Sequence, residues 1–152
     1  MFDIDALDAA DTADMEVLGP DGRLTGWIWT FAGPGHPQTI TQSNRIARER
    51  LHEDSQKEAA RVNGRKWKPP EETVDQVRAK NIEFVVERLV GWQGATRGGK
   101  EFPYSPENAR EILQDRRKAA LLTQALEFLG EASSFTQSSA TNSQPSPSDT
   151  SN

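Results

Sequence analysis

The chain has 152 residues, 34% hydrophobic and 27% charged, with a formal net charge of −5, two histidines and no cysteine. That length suits one domain with a modest core, and the missing thiols exclude disulfides, cysteine nucleophiles and cysteine-based zinc sites. No basic stretch leads into an apolar run near Met1, and no apolar segment approaches the roughly 20 residues that cross a bilayer, so a soluble protein is expected.

Residues 1–14 are acidic and alanine-rich, without an extended apolar pattern, and read as a mobile segment. Every charged side chain from Met1 to Gly22 is acidic: Asp3, Asp5, Asp8, Asp11, Asp14, Glu16 and Asp21. A β-hairpin is predicted over 15–31, turning at Gly19-Pro20-Asp21-Gly22. Side chains alternate along a strand, so Trp27, Trp29 and Phe31 share one face of its second strand, as the lid of a core. The breaker cluster from Ala32 to Pro37 lacks the Lys-Ser/Thr of a phosphate-binding loop and reads as a turn.

A long helix follows over 37–62, with a thin apolar stripe (Ile40, Ala47, Leu51, Ala59, Val62) and an Asn63-Gly64 stop. Such a helix gains little from burying its own face; it is either solvated or awaits a partner. Basic side chains dominate from Arg45 to Lys68 (Arg45, Arg48, Arg50, Lys57, Arg61, Arg65, Lys66, Lys68), with Glu49, Glu53, Asp54 and Glu58 interleaved. The interleaving favours a solvated face over a nucleic-acid footprint. Arg65 to Pro70 is a linker carrying Trp67.

The second helix is predicted over 71–90, opening with Glu71 and Glu72 in its first turn, its apolar face (Val74, Val77, Ile82, Phe84, Val85, Val86, Leu89, Val90) broadening towards the C-terminal half. Glu83 and Glu87 stand one turn apart, but with Lys80 and Arg88 beside them they read as ordinary surface charge rather than a catalytic pair. Gly91-Trp92 closes the helix, and 93–101 is a glycine-bearing loop or tight hairpin. A third helix over 106–130 is announced by Ser105 as N-cap, Pro106 at the first helical position and Glu107 in the first turn, with Tyr104 stapled onto Ala109. Its apolar pattern runs to Gly130, and a bend at Gln114–Lys118 is left open. Residues 132–152 are a polar tail expected to be disordered, except that Phe135 folds back onto the last helix.

The expected fold is thus mainly α with a small N-terminal β-hairpin (α+β), with an ordered body over 15–131. No nucleophile sits with a base, the histidines have no second ligand at metal spacing, and no cofactor motif occurs. The reading is non-enzymatic, with no catalytic, cofactor-binding or metal residues.

Three stretches then carry a resemblance: Phe84-Val-Val-Glu-Arg-Leu-Val-Gly-Trp92, Phe102-Pro-Tyr-Ser-Pro-Glu-Asn-Ala-Arg110, and Leu126-Glu-Phe-Leu-Gly130 with Ser134-Phe135. In this order, over residues 82–135, they resemble the tail assembly chaperones of long-tailed bacteriophages. The resemblance implies a small helical protein that binds the phage tape measure protein and recruits tail tube subunits, with room for self-association. It also implies residence in the bacterial host cytoplasm and absence from the mature virion, and such families often make a longer form by frameshifting. No membrane partner is expected, since no segment is long and apolar enough to span one. The aromatics Trp27, Trp29, Phe84, Trp92, Phe102, Tyr104 and Phe128 are the candidate partner contacts. Two alternatives remain: a connector or tail completion protein retained in the virion, and a nucleic-acid-binding accessory protein using Arg61–Lys68, which the acidic balance disfavours.

Overall fold

The structure, a computed structural model, describes residues 1–135. It is an α+β fold in which three helices cover one face of a small antiparallel sheet. Strands β1 (Thr12–Leu18) and β2 (Leu24–Ala32) form the expected hairpin, with Met15 opposite Trp29. Strand β3 (Leu89–Gln93) pairs on the other side of β2, with Trp92 opposite Trp29. The alternation sends Ala13, Met15 and Val17 of β1 and Trp29 and Phe31 of β2 into the core. Thr30 and Asp14 meet on the opposite face, 2.7 Å apart.

Helices α2 (Val74–Arg88), α3 (Pro106–Gln114) and α4 (Ala119–Gly130) close over that core. Helix α2 buries Ile82, Val85 and Val86; α3 buries Ala109, Ile112 and Leu113; α4 buries Leu121, Leu122, Ala125 and Phe128. Helix α1 (Pro37–Val62) stands apart, burying only Thr39 and Gln42, which lie near its start. Gln38 and Gln42 donate to the carbonyls of Glu87 and Phe84, and Arg45 meets Glu87 at 2.5 Å. From Ala47 to Ala59 every residue is exposed, so α1 is an arm anchored at its base.

The second predicted helix is shortened at both ends. It starts at Val74, because Thr73 and Gln76 form a reciprocal capping box. It ends at Arg88, because Leu89 to Gln93 is drawn out as β3, where Trp92 stacks on Trp29 with ring centroids 5.3 Å apart. The helical spacing of Val85, Val86, Leu89 and Val90 concealed a tertiary pairing that overrides local pattern. The third predicted helix divides into α3 and α4 around a 3-10 turn at Arg116–Lys118. Asp115 caps that turn by accepting from the Arg117 amide at 3.0 Å, which settles the bend left open by the sequence.

The predicted mobile stretch 1–14 holds a 3-10 turn at Ile4–Leu7 and the first residues of β1. Ala132–Phe135 forms another 3-10 turn in place of the start of a tail. Phe135 is buried edge-on against Phe128 with centroids 5.7 Å apart, as its isolated position predicted. The predicted disorder of the remaining tail, 136–152, lies outside the described residues.

Arg88 corrects a sequence reading, since it is buried rather than surface charge. Its Nε and Nη2 both donate to the Ala32 carbonyl, at 3.0 and 2.6 Å, and its guanidinium faces the Phe135 ring at 5.4 Å. Burial lowers its pKa from the ordinary arginine value. The side chain ties the end of β2 to α2 and to the C-terminal turn.

Candidate functional site

The aromatics of β2 and β3 meet the segment that leads into α3. Trp92 stacks on Phe102 at 5.7 Å and meets Tyr104 edge-on at 5.2 Å. Its indole N–H donates to the Phe102 carbonyl at 2.9 Å, and the Tyr104 hydroxyl donates to the Leu89 carbonyl at 3.1 Å. Burial pushes the Tyr104 phenol pKa up. These bonds set the approach to α3, whose start is fixed by Ser105 accepting from the Asn108 amide at 3.0 Å. The Tyr104 side chain is thus held by Trp92 and by Leu89 at the start of β3.

Trp27 stands at the edge of this cluster, edge-on to Trp29 at 5.3 Å and to Trp92 at 5.4 Å. It is half-buried, and two open grooves meet at it, sharing Thr25, Trp27 and Lys118. One, of about 300 Å³, lies under the hairpin of β4 (Thr96–Arg97) and β5 (Lys100–Glu101) and reaches Phe102 and Ile112. The other, of about 420 Å³, runs between the β1–β2 turn and the start of α4, past Val17, Pro20, Ala120 and Leu121. The β4–β5 hairpin is set over Trp27 by glycine: Gly94 has φ +90°, and a Cβ there would lie 2.3 Å from the Gly26 carbonyl oxygen. Arg97 spans the rim, bonded to Glu111 at 2.9 Å and facing the Phe102 ring at 5.5 Å.

The indole nitrogens of Trp27 and Trp29 are shut from solvent and have no hydrogen-bond partner among the described residues. An unmet buried donor costs roughly 1–3 kcal/mol.

The seven candidate contacts therefore separate. Trp27 and Phe102 line the grooves. Trp92 and Tyr104 stand behind them as support. Trp29 and Phe128 lie inside the core, which corrects their reading as contacts: the side that faces helices α2–α4 leaves them no surface to offer. Phe84 is half-buried on α2, away from the cluster, at the base of the arm. Sequence reasoning missed Thr25, Lys118 and Ala120; the three glycines between Gln93 and Lys100 signalled only a tight hairpin, not what it would cover.

The other candidates for chemistry are engaged elsewhere. Glu83 binds Arg110 at 2.7 Å and Glu87 binds Arg45, so the two carboxylates serve different neighbours. The His36 ring accepts from the Gln38 amide at 3.1 Å and caps α1. Among the described residues no group of three His, Asp or Glu side chains is placed to hold a metal ion. No described helix is long and apolar enough to cross a membrane.

Residues 39–145 match the YdaY prophage protein family. The chain belongs to that family. The protein is therefore phage-derived, and the YdaY match takes in the arm from Thr39 on, all three core helices, Trp92, Phe102 and Tyr104, while β1, β2 and Trp27 lie before it. No curated protein and no solved structure matches the chain.

Proposed function

We propose that this YdaY-family protein is a non-enzymatic tail assembly chaperone, which binds a phage tape measure protein and brings tail tube subunits to it. The observation that carries the reading is the pair of grooves meeting at Trp27, apolar at the floor and rimmed by Arg97, Arg117 and Lys118. A floor of aromatic and aliphatic side chains with a cationic rim suits an amphipathic helix that lays its apolar face down and its acidic residues outward. A tape measure protein, long and helical, supplies many such faces in series. The prophage family and the ordered approach of Trp92, Phe102 and Tyr104 to α3 support the same reading, because they cover the stretches that resemble the chaperones. In this role the protein acts in the host cytoplasm and leaves before the tail is complete.

The test is to induce the prophage and to follow the protein through tail assembly. It is expected to co-purify with the tape measure protein from the lysate and to be absent from purified particles by mass spectrometry. Recovery in purified particles at a fixed ratio to the tube protein would instead make it a retained connector or completion protein.

A further inference from the structure

The arm α1 carries three exposed large apolar side chains: Ile40, Leu51 and Val62, which are 48%, 68% and 70% exposed. They recur every 11 residues, which on an α-helix is close to three whole turns, so they form one stripe along the arm. The stripe is symmetric about Leu51. Arg48 and Asp54 lie three residues to either side of Leu51, and the small Ala47 and Ser55 lie four to either side. Two such helices laid antiparallel and crossing at Leu51 place Ile40 of each against Val62 of the other. They also place Arg48 of each against Asp54 of the other, with Ala47 and Ser55 leaving room for close approach.

The ends of the arm are complementary in the same sense. At its base lies the acidic segment with the 3-10 turn at Ile4–Leu7, held nearby because the Ala10 amide donates to the Phe135 carbonyl and the Gly33 amide to the Asp11 carbonyl. A 3-10 turn aligns residues three apart, so Ile4 and Leu7 share one side while Asp5 and Asp8 share another. Phe2, Ile4 and Leu7 are 69%, 72% and 74% exposed. At the far end of the arm Ala59, Ala60 and Trp67 line a groove of about 310 Å³ walled by Arg65, Lys66 and Lys68. Those three cations make no ion pair among the described residues.

A chain's own acidic segment falls short of its own groove. The arm from Pro37 to Ala60 is about 35 Å long. The chain from Ala10 back to Ile4, fully extended, spans about 21 Å. A second copy lying antiparallel brings its own base, and its acidic segment, to that groove.

We propose that the protein forms a two-fold symmetric dimer through antiparallel pairing of α1, centred on Leu51, with residues 2–8 of each copy seated in the Trp67 groove of the other. The partner's apolar Phe2, Ile4 and Leu7 meet Trp67 and the alanines, and its Asp3 and Asp8 meet Arg65, Lys66 and Lys68. Such an interface is isologous and closed, so assembly stops at two copies. Such a dimer does not rest on the chaperone reading.

The absence of cysteine makes the geometry directly testable with the full chain. Under mild oxidation Leu51→Cys is expected to give a disulfide-linked dimer. Ile40→Cys alone stays uncrosslinked, but cross-links when mixed with Val62→Cys. Sedimentation equilibrium is expected to show a monomer–dimer equilibrium for the wild type, weakened at least about tenfold by Leu51→Glu, as for loss of a central apolar anchor. Asp3→Lys with Asp8→Lys, and separately Lys66→Glu with Lys68→Glu, weaken the dimer; mixing the two variants restores it. A wild type that stays monomeric up to about 100 µM, weaker than any specific dimer of use, overturns the proposal. Self-cross-linking of Ile40→Cys, dimerisation indifferent to Leu51→Glu, or failure of the mixed charge variants to reassociate also overturns it.

Discussion

The sheet-and-helix body and the α1 arm are held together by different forces, although both are well-formed secondary structure. The body buries Trp29, Phe31, Met15, Leu89 and Leu113 almost completely, and its elements are specified by which apolar face meets which. The arm beyond its base buries almost nothing and is kept helical by local terms: Arg45–Glu49 at 3.0 Å, Glu53–Lys57 at 3.6 Å and Glu58–Arg61 at 2.5 Å. Such exposed pairs are screened by solvent and each contributes only weakly. The lesson is a division of labour. Residues of the body are committed to the fold, whereas those of the arm can be selected for an outside surface at little cost to stability.

The largest effects are expected where that contrast is sharpest. Trp29→Ala should destabilise the body by about 3–5 kcal/mol through lost contacts and a cavity, whereas Leu51→Ala in the arm should stay within about 0.5 kcal/mol. Urea denaturation of both variants checks the pair. A comparable loss from Leu51→Ala in dilute protein would mean that the arm belongs to the core.

Phe135 lies on the body side of the division although it follows the last helix. Its replacement by alanine should cost roughly 2–3 kcal/mol, from lost burial against Phe128 and Arg88. Truncation after Thr136 should leave the thermal transition where it was, and differential scanning calorimetry distinguishes the two.

A smaller effect belongs to the cap of α3. Ser105→Ala should lower stability by about 1 kcal/mol, read from the melting temperature, because the Asn108 amide loses its acceptor.

The smallest is electrostatic. Asp115 bonds Arg117 and Lys118 at the corner between α3 and α4, and these cations hold its carboxyl well below the usual carboxylate range. A depressed folded pKa gives stability that is present above the unfolded value, about 4, and is lost as pH falls below it. The melting-temperature gap between wild type and Asp115→Asn should therefore be steady at neutral pH and should shrink on acidification below about pH 4. Added salt should narrow it too, because the pair is near the surface. A gap that widens in acid would contradict the assignment.

Much of the α+β fold was legible because it is written in local chemistry. The limits of α1 follow from the Pro37 start and the Asn63-Gly64 stop, and Ser105-Pro106 marks α3 in the same way. The hairpin and its inward Trp29 and Phe31 follow from alternation. What was hidden depends on contacts between distant residues. Leu89 and Val90 look helical until β2 is there to pair with them, and Arg88 looks like surface charge until the Ala32 carbonyl and the Phe135 ring are there to receive it. Thr73 and Gln76 have the spacing of a capping box in the sequence, but the predicted helix began two residues earlier, at Glu71. Of the candidate contacts, an aromatic's type was readable but its depth was not: Trp27 and Trp29 share one face of one strand, yet only Trp27 reaches the grooves.

The central claim is that a partner helix binds where the two grooves meet at Trp27. The direct measurement is the affinity of the tape measure protein from the same prophage for the wild type and for Ala120→Arg, which fills the larger groove from an exposed position. The account predicts an unchanged melting temperature and binding weakened by at least about tenfold, as for blocking the centre of an interface. Undiminished binding by a folded Ala120→Arg protein would contradict it.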